Sequence, residues 1–417
     1  MVFERKSYLQ QLIDSRGNGL VKIVTGIRRC GKSYLLCNLF HAWLIKYGVA
    51  EDHIIQLGLD TRKNKALLNP DKLIEFVEGK IVNDGAITYV ILDEIQLVDD
   101  FVGVILSFMQ MPNVDVYVSG SNSKFLSSEV ATEFRGRGKE IRVHPLSFAE
   151  YFETVGGDRD KALDTYYKYG GLPQVAQMDD EREKREYLLN IYETVYLRDV
   201  IDRNHLRNPE GLRQLIQVLA SNISCSSNPQ RISKTFKSER GLTIAPRTVD
   251  SYLRFLQDAF IVSEAQRYDV KGRKYIGSES KYFFEDIGLR NAILNFRQIE
   301  DTHIMENVIY NELRVRRYSV DVGMVETWRT KENGDKERIK LEIDFVVNII
   351  PEKVYIQSAL TLSSIEKKNQ ELRSLLNVQD NFQKMVVVAN GLISAVNEDG
   401  IQIKTLFDFL LNPDSVI

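Results

Sequence analysis

Eight consecutive residues constrain this chain more than any other stretch: Gly26-Ile27-Arg28-Arg29-Cys30-Gly31-Lys32-Ser33, a G-x-x-x-x-G-K-S run. The short apolar segment VKIVTG (21–26) precedes it and reads as a buried strand. The segment SYLLCNLFHAWLIKYG (33–48) follows, with apolar residues at helical spacing and Gly48 as its C-cap. Strand, glycine-bounded loop and helix together specify a phosphate cradle. The glycines let the chain turn its backbone N–H groups onto phosphate oxygens, and the helix adds its positive N-terminal end. In this reading residues 26–33 and the adjoining Tyr34 hold ATP. Lys32 reaches the β- and γ-phosphates, and Ser33 offers its hydroxyl to Mg²⁺.

A second strand, Tyr89-Val90-Ile91-Leu92-Asp93-Glu94, ends in two acids about sixty residues downstream of the loop. A strand buried on both faces does not finish in adjacent carboxylates without a cation or a chemical task. The expected roles are Asp93 on Mg²⁺, largely through its water shell, and Glu94 as the base that deprotonates the attacking water. A further strand ends in Ser119-Gly120-Ser121-Asn122. Asn122 or Ser121 is placed either to hydrogen-bond the γ-phosphate or the water, or to cap the helix that follows. Phe134-Arg135-Gly136-Arg137 offers two arginines, either of which would neutralise transition-state charge in cis or from a neighbouring subunit; the alternative is a solvated basic turn.

Strand and helix alternate through the first 150 residues, with strands at 21–26, 53–60, 87–95, 114–121 and 139–146, as in a parallel α/β sheet. Residues 151–206 read as mostly helical. From 207 to 265 the pattern is short helix, turn, longer helix, which is helix-turn-helix grammar, and IVSEAQRYD with KGRKY supplies material for a β-wing. The last third mixes strands and helices.

The 417 residues suffice for two or three domains. The net charge of −3 gives no chain-wide attraction to nucleic acid. Locally the balance differs: residues 207–274 hold twelve Lys/Arg against six Asp/Glu, a surplus of six positive charges. The three cysteines make no disulfide framework, and no Cys/His group has zinc-ligand spacing. The N-terminus has no apolar core of a signal peptide, and no stretch of about 18 uncharged apolar residues occurs, so a cytoplasmic location without membrane contact is expected.

GIRRCGKS, YVILDEIQ, VSGSNSKFLSSEV and FRGRGKEIRVHPLSFAEY, in that order, resemble a group of prokaryotic AAA+-type ATPases. YGGLPQV, VYLRDVI, KYFFEDIGLRNAI and MENVIYNEL resemble the C-terminal portion that accompanies this ATPase, so the likeness covers nearly the whole chain. It implies an α/β P-loop AAA+-type domain at 1–150, a helical segment at 151–206, a winged-helix-like region at 207–275 and a PD-(D/E)xK-nuclease-like α/β domain at 276–417.

Two-metal cleavage on that last fold needs an acid on one strand, an acid-x-lysine on the next, and often a helical glutamate. Glu306 and Asp344 match in position; Gln357 stands at the second acid and Ala359 at the lysine. The expectation is an inactive remnant, unless Glu342 or a displaced lysine such as Lys353 compensates. In the basic block, Arg247 and Arg254 fall on the second helix, one side of which would meet DNA phosphates. The alternative is a protein contact or a homo-oligomer. Three functions follow for test: an ATPase driving change in the C-terminal domains, a nucleotide switch acting through protein contacts, and an ATP-regulated nuclease.

Overall fold

Val21-Lys22-Ile23-Val24-Thr25 is buried at every position, as a strand covered on both faces must be. It is β1 of a sheet that also holds β2 (Ile54–Gly58), β3 (Thr88–Asp93), β4 (Val114–Ser119) and β5 (Gly138–Arg142). The computed structural model describes residues 1–121, 136–206, 208–240, 243–331, 335–389 and 395–416. The five strands run in the order β2-β3-β4-β1-β5 and every pairing is parallel. Parallel order puts all five carboxyl ends along one rim. Lys22 is tolerated inside this sheet because Asp115 on the neighbouring β4 pairs with its ammonium, and the Tyr117 hydroxyl donates to the same carboxylate at 3.0 Å.

Helix α1 (Lys6–Asp14) precedes the sheet. Helix α2 runs without a break through Lys32–Tyr34, Leu35–Phe40 and His41–Lys46, its middle part wound as π-helix. Helices α3 (Pro70–Glu78) and α4 (Phe101–Gln110) start on side-chain caps from Asn69 and Asp100. They close an apolar core with Leu73, Val77, Ile105 and Phe108 against Val90, Leu92, Val116 and Val118.

The chain divides into two compact units. One takes Met1–Pro145 together with Leu172–Gln174 and Asp258–Phe260; the other takes Leu146–Gly171, Val175–Gln257 and Ile261–Ile417. The stretches 151–206, 207–275 and 276–417, read as three segments in the sequence, therefore lie almost wholly in one unit.

That second unit begins with helices α5 (Phe148–Val155), α6 (Arg159–Tyr169) and α7 (Glu181–Ile191). Then come α8 (Pro209–Ser221), the short β6 (Ser226–Ser227), α9 (Pro229–Arg240), α10 (Pro246–Asp258), β7 (Val262–Asp269) and β8 (Lys274–Phe284). A boundary at 275/276 falls inside β8. The polar Gly277-Ser278-Glu279-Ser280 hides the strand's continuity from a reading by apolar runs.

The remainder is α11 (Ile287–Ile293), α12 (Asp301–Val315), β9 (Ser319–Thr330), β10 (Lys336–Ile349), β11 (Glu352–Ala359), α13 (Ile365–Leu376), β12 (Gln383–Val388), β13 (Ala395–Val396), β14 (Gln402–Thr405) and α14 (Leu406–Leu411). One mixed nine-stranded sheet, β13-β14-β12-β11-β10-β9-β7-β8-β6, unites these strands with the hairpin β7–β8. Among the described residues no helix is long and apolar enough to cross a membrane.

Candidate functional site

The rim above β1 is built by close packing. Gly26 leaves the strand at φ +141°, and a Cβ there would stand 2.1 Å from the Val143 carbonyl oxygen. Only glycine fits. Arg29 and Gly31 then take positive φ of 63° and 100°, which folds the loop back on itself. Ile27 and Cys30 anchor it from below, both fully buried, with the Cys30 thiol donating to the Val143 carbonyl at 3.3 Å.

Lys32 opens α2. Its ammonium donates to the carbonyls of Gly26 at 2.9 Å and Ile27 at 3.0 Å, so the charge lies in the bowl of its own loop. Ser33 and Tyr34, next on the helix, are exposed on its surface.

Register aligns the other groups with this loop. Val24 pairs with Ser119, and Leu92 pairs with Val118, so the ends of β1, β4 and β3 are neighbours along the rim. Asp93 is buried, and the Ser119 hydroxyl donates to its Oδ1. The same Ser119 oxygen accepts the backbone N–H of Glu94 at 3.1 Å. Glu94 takes a left-handed conformation, φ 57°, which ends the strand and turns its side chain along the rim. There its Oε2 accepts from Gln96 Nε2 and, at 3.4 Å, from the Ser121 hydroxyl.

Ser121 is thus on the acid pair, through Glu94. Ser119 and Gln96, which motif reading did not single out, hold the two acids in place. The signal for Ser119 was available: it ends the strand next to β3. Cys37, one turn along α2 from Ser33, is a packed and inert thiol, pushed up to about 12 by burial and by the nearby Asp93 and Asp60 carboxylates.

The donor set suits a nucleoside triphosphate with a hard divalent cation. An ammonium and a helix start supply positive charge, and one carboxylate with one hydroxyl supplies hard oxygens. Along this rim no three described His, Cys, Asp or Glu side chains converge as a metal cage. Mg²⁺ at phosphate sites does not need one, because phosphate and water complete its shell.

The arginines do not gather here. Arg135 and Asn122 lie outside the described residues. Arg137 precedes β5 and its carbonyl accepts the Val21 N–H at 2.9 Å. Val21 pairs with Gly138 and Thr25 with Arg142, so Arg137 sits at the amino end of the sheet, about 13 Å of strand from the loop. A role for Arg137 on its own subunit's γ-phosphate is incompatible with that placement. The arginine at the loop end of β5 is Arg142, and its guanidinium lies over the Phe260 ring at 4.8 Å.

Known sequences decide the family. A model described as an AAA domain matches residues 18–152, and one described as a domain of unknown function (DUF8612) matches residues 160–300. An uncharacterized protein of Haemophilus influenzae is 31% identical over 415 residues, covering 98% of this chain and 99% of its own. The chain belongs to one family with this Haemophilus influenzae protein, and its residues 18–152 match an AAA domain. The uncharacterized protein MJ1544 of Methanocaldococcus jannaschii is 25% identical over 364 residues, 84% of this chain and 77% of that one. Among solved structures, Cdc6p of Pyrobaculum aerophilum aligns at 15% identity over 73% of this chain and 94% of its own, with a TM-score of 0.29. The Aeropyrum pernix ORC1 protein in complex with DNA aligns at 13% over 70% and 92%, with a TM-score of 0.28. Likeness at that level carries no functional weight.

The chain has a second polar centre in its other unit. β10 carries one extra residue relative to β9 between Ile343 and Val346. The bulge turns Asp344 and Phe345 to the same side. Phe345 packs there against Phe283 and, on α12, Tyr310. Asp344 meets Ser358, whose N–H and hydroxyl donate to its Oδ2 at 2.8 and 2.6 Å. Gln357 instead accepts from Ser374 of α13 at 3.2 Å. The sequence reading that set Gln357 beside Asp344 is therefore corrected: the bulge shifts the faces by one, and Ser358 takes that place.

Glu306 is with Asp344, but the group that joins them is Lys281 of β8. Its ammonium is 2.6 Å from Glu306 Oε1, 2.8 Å from Glu342 Oε1 and 3.8 Å from Asp344 Oδ1. The three carboxylates hold the Lys281 pKa above its usual value. Lys353, the displaced lysine considered from the sequence, lies elsewhere, donating to the Tyr268 hydroxyl at 2.7 Å.

Proposed function

We propose that this protein is a Mg²⁺-dependent ATPase whose hydrolysis site is the rim over β1, β4 and β3. Lys32 leaves the loop carbonyls for the β- and γ-phosphates when nucleotide enters. Ser33 and Asp93 hold Mg²⁺, the latter largely through water. Glu94 takes a proton from the water that attacks the γ-phosphorus, and ADP leaves with its new terminal charge held by Lys32. The observation that carries this reading is the Ser119 bridge, which fixes Asp93 and Glu94 as a pair on the strand next to the loop's own neighbour. A pure nucleotide switch has no need of a positioned base. Phosphate release from wild type, Lys32→Ala and Glu94→Gln tests it: both variants should lose turnover, and only Lys32→Ala should also lose ATP affinity. Turnover unaffected by Glu94→Gln sinks the assignment of the base.

Residues 208–284 support a second element of the proposal, a winged helix that contacts DNA. Three helices, a short strand and a hairpin follow one another, and β6 pairs with β8, which pairs with β7. Arg247 and Arg254 are exposed on α10, and Lys271, Arg273 and Lys274 are exposed at the hairpin turn. In this reading ATP turnover gates that contact. A protein partner or a second copy of the chain is the competing outcome, read directly by whether DNA or added protein changes the ATPase rate at low salt. An arginine supplied by a neighbouring subunit, Arg135 or Arg137, belongs to the same proposal.

A further inference from the structure

A buried group of carboxylates needs a positive charge at its centre. Two solutions exist: a bound cation, or an ammonium from the chain. The carboxylates here come from α12 and β10, and Lys281 reaches them from β8.

We infer that the Lys281 ammonium occupies the place of a divalent cation in this centre, so that wild-type protein holds no metal there, and that removing the ammonium uncovers a site for a hard cation such as Mg²⁺ or Mn²⁺. Three observations carry the inference. First, the ammonium is already at contact distance from two of the three carboxylates, at 2.6 and 2.8 Å. A Mg²⁺ or Ca²⁺ ion bound by the same oxygens sits about 2.0–2.6 Å from them and would overlap the nitrogen.

Second, Lys281 cannot swing away. Its backbone is paired on one side with Ala265 of β7 and on the other with Ser226 of β6. It is 3% exposed.

Third, the other oxygen of two of these carboxylates is engaged by the protein. Asp344 Oδ2 takes both donors of Ser358, and Glu342 Oε2 takes Ser226 Oγ at 3.1 Å and Arg267 at 3.2 Å. The centre thus works as a rivet joining β6, β7, β8, β10, β11 and α12. Metal-dependent phosphodiester cleavage has no place in it, which separates this inference from the ATPase proposal: either can fail without the other.

The test is Mn²⁺ binding to the full chain without nucleotide, measured by electron paramagnetic resonance of the free ion, together with thermal midpoints with and without Mn²⁺. Wild type and Asp344→Asn should bind the same number of ions, since no metal sits at Asp344. Lys281→Met should bind one more per chain, with a midpoint that rises on adding Mn²⁺. Lys281→Met/Asp344→Asn should lose both gains. Fewer ions on Asp344→Asn than on wild type overturns the inference, as does a folded Lys281→Met with no additional ion. If Lys281→Met folds in neither condition, the comparison of wild type with Asp344→Asn still decides whether metal occupies the centre.

Discussion

Ser119 and Asp93 share one hydrogen: the serine hydroxyl at the end of β4 donates to Asp93 Oδ1 at the end of β3. Because Ser119 Oγ also accepts the Glu94 N–H at 3.1 Å, one hydroxyl orients the proposed magnesium ligand and fixes the backbone of the proposed base. Groups that orient a metal ligand matter nearly as much as the ligand. Ser119→Ala should lower phosphate release roughly 10- to 100-fold, with the larger part recovered at high Mg²⁺ if the loss is in metal affinity. ATP binding measured without Mg²⁺ should be unchanged, since Ser119 does not reach the loop's ammonium. A fall in metal-free ATP affinity would assign the serine to the nucleotide instead.

Gly26 and Gly17 both have positive φ, 141° and 61°, yet their surroundings differ. A Cβ at Gly17 meets nothing within 4 Å, whereas one at Gly26 lands 2.1 Å from Val143 O. Gly17→Ala therefore carries only the conformational term, about 1–2 kcal/mol, and should bind an ATP analogue normally. Gly26→Ala must push the loop off Val143, just past β5, and it should lose analogue binding altogether while lowering the thermal midpoint of the unit that holds the loop. Equal behaviour of the two variants would mean that the loop has room the packing denies.

The parts of this architecture that were legible in the sequence are contiguous. Residues 26–33 and 93–94, proposed to carry the chemistry, lie within single short runs, and the structure has a strand before the loop, a helix after it and a strand ending at Asp93. What was not legible depends on register. Ser119 lies 26 residues from Asp93 and becomes its partner only because β3 and β4 are neighbours. Arg137 looked close to the site in sequence and stands at the far end of β5, because strand direction is invisible in a motif. In the second unit a single extra residue in β10 exchanged Gln357 for Ser358 beside Asp344, and no periodicity announces a bulge. Lys281 escaped for a related reason: it lies 25 residues before Glu306, on a strand whose polar middle disguises it.

Asp286 provides a pH signature for the second unit. Burial pushes its carboxyl up from 3.8 to about 6, against backbone N–H groups of Leu289 and Gly171 that donate to it at 2.9 and 2.8 Å. A carboxyl whose folded pKa is raised favours folding at low pH, and that contribution is lost as pH rises through about 6. The change between pH 4 and pH 7 amounts to about 2 kcal/mol. Asp286→Asn does not titrate. Denaturant unfolding at the two pH values should show wild type losing more stability than Asp286→Asn by an amount of that order. The substitution also forfeits one accepted N–H, but that loss is the same at both pH values and drops out of the comparison.

The hairpin turn between β7 and β8 puts Lys271, Arg273 and Lys274 within four residues, all exposed. Lys271 is the most constrained of the three, its ammonium donating to the Glu326 carbonyl of β9 at 2.7 Å. If this turn lies on DNA phosphates, each neutralised phosphate releases counterions, and the logarithm of affinity falls with the logarithm of salt at a slope of about −0.9 per contact. Replacing all three by alanine should weaken duplex binding at low salt and make the slope shallower by up to about 2.7. Basal ATP turnover without DNA should be unaffected, because no residue of the turn belongs to the unit that holds Lys32 and Asp93. Arg254 makes the contrast: it is paired with Asp250 at 2.8 Å, so Arg254→Ala should change the slope by less than one full contact. A slope unaltered by the triple substitution removes the turn from any DNA contact and leaves a protein surface as the reading of these three charges.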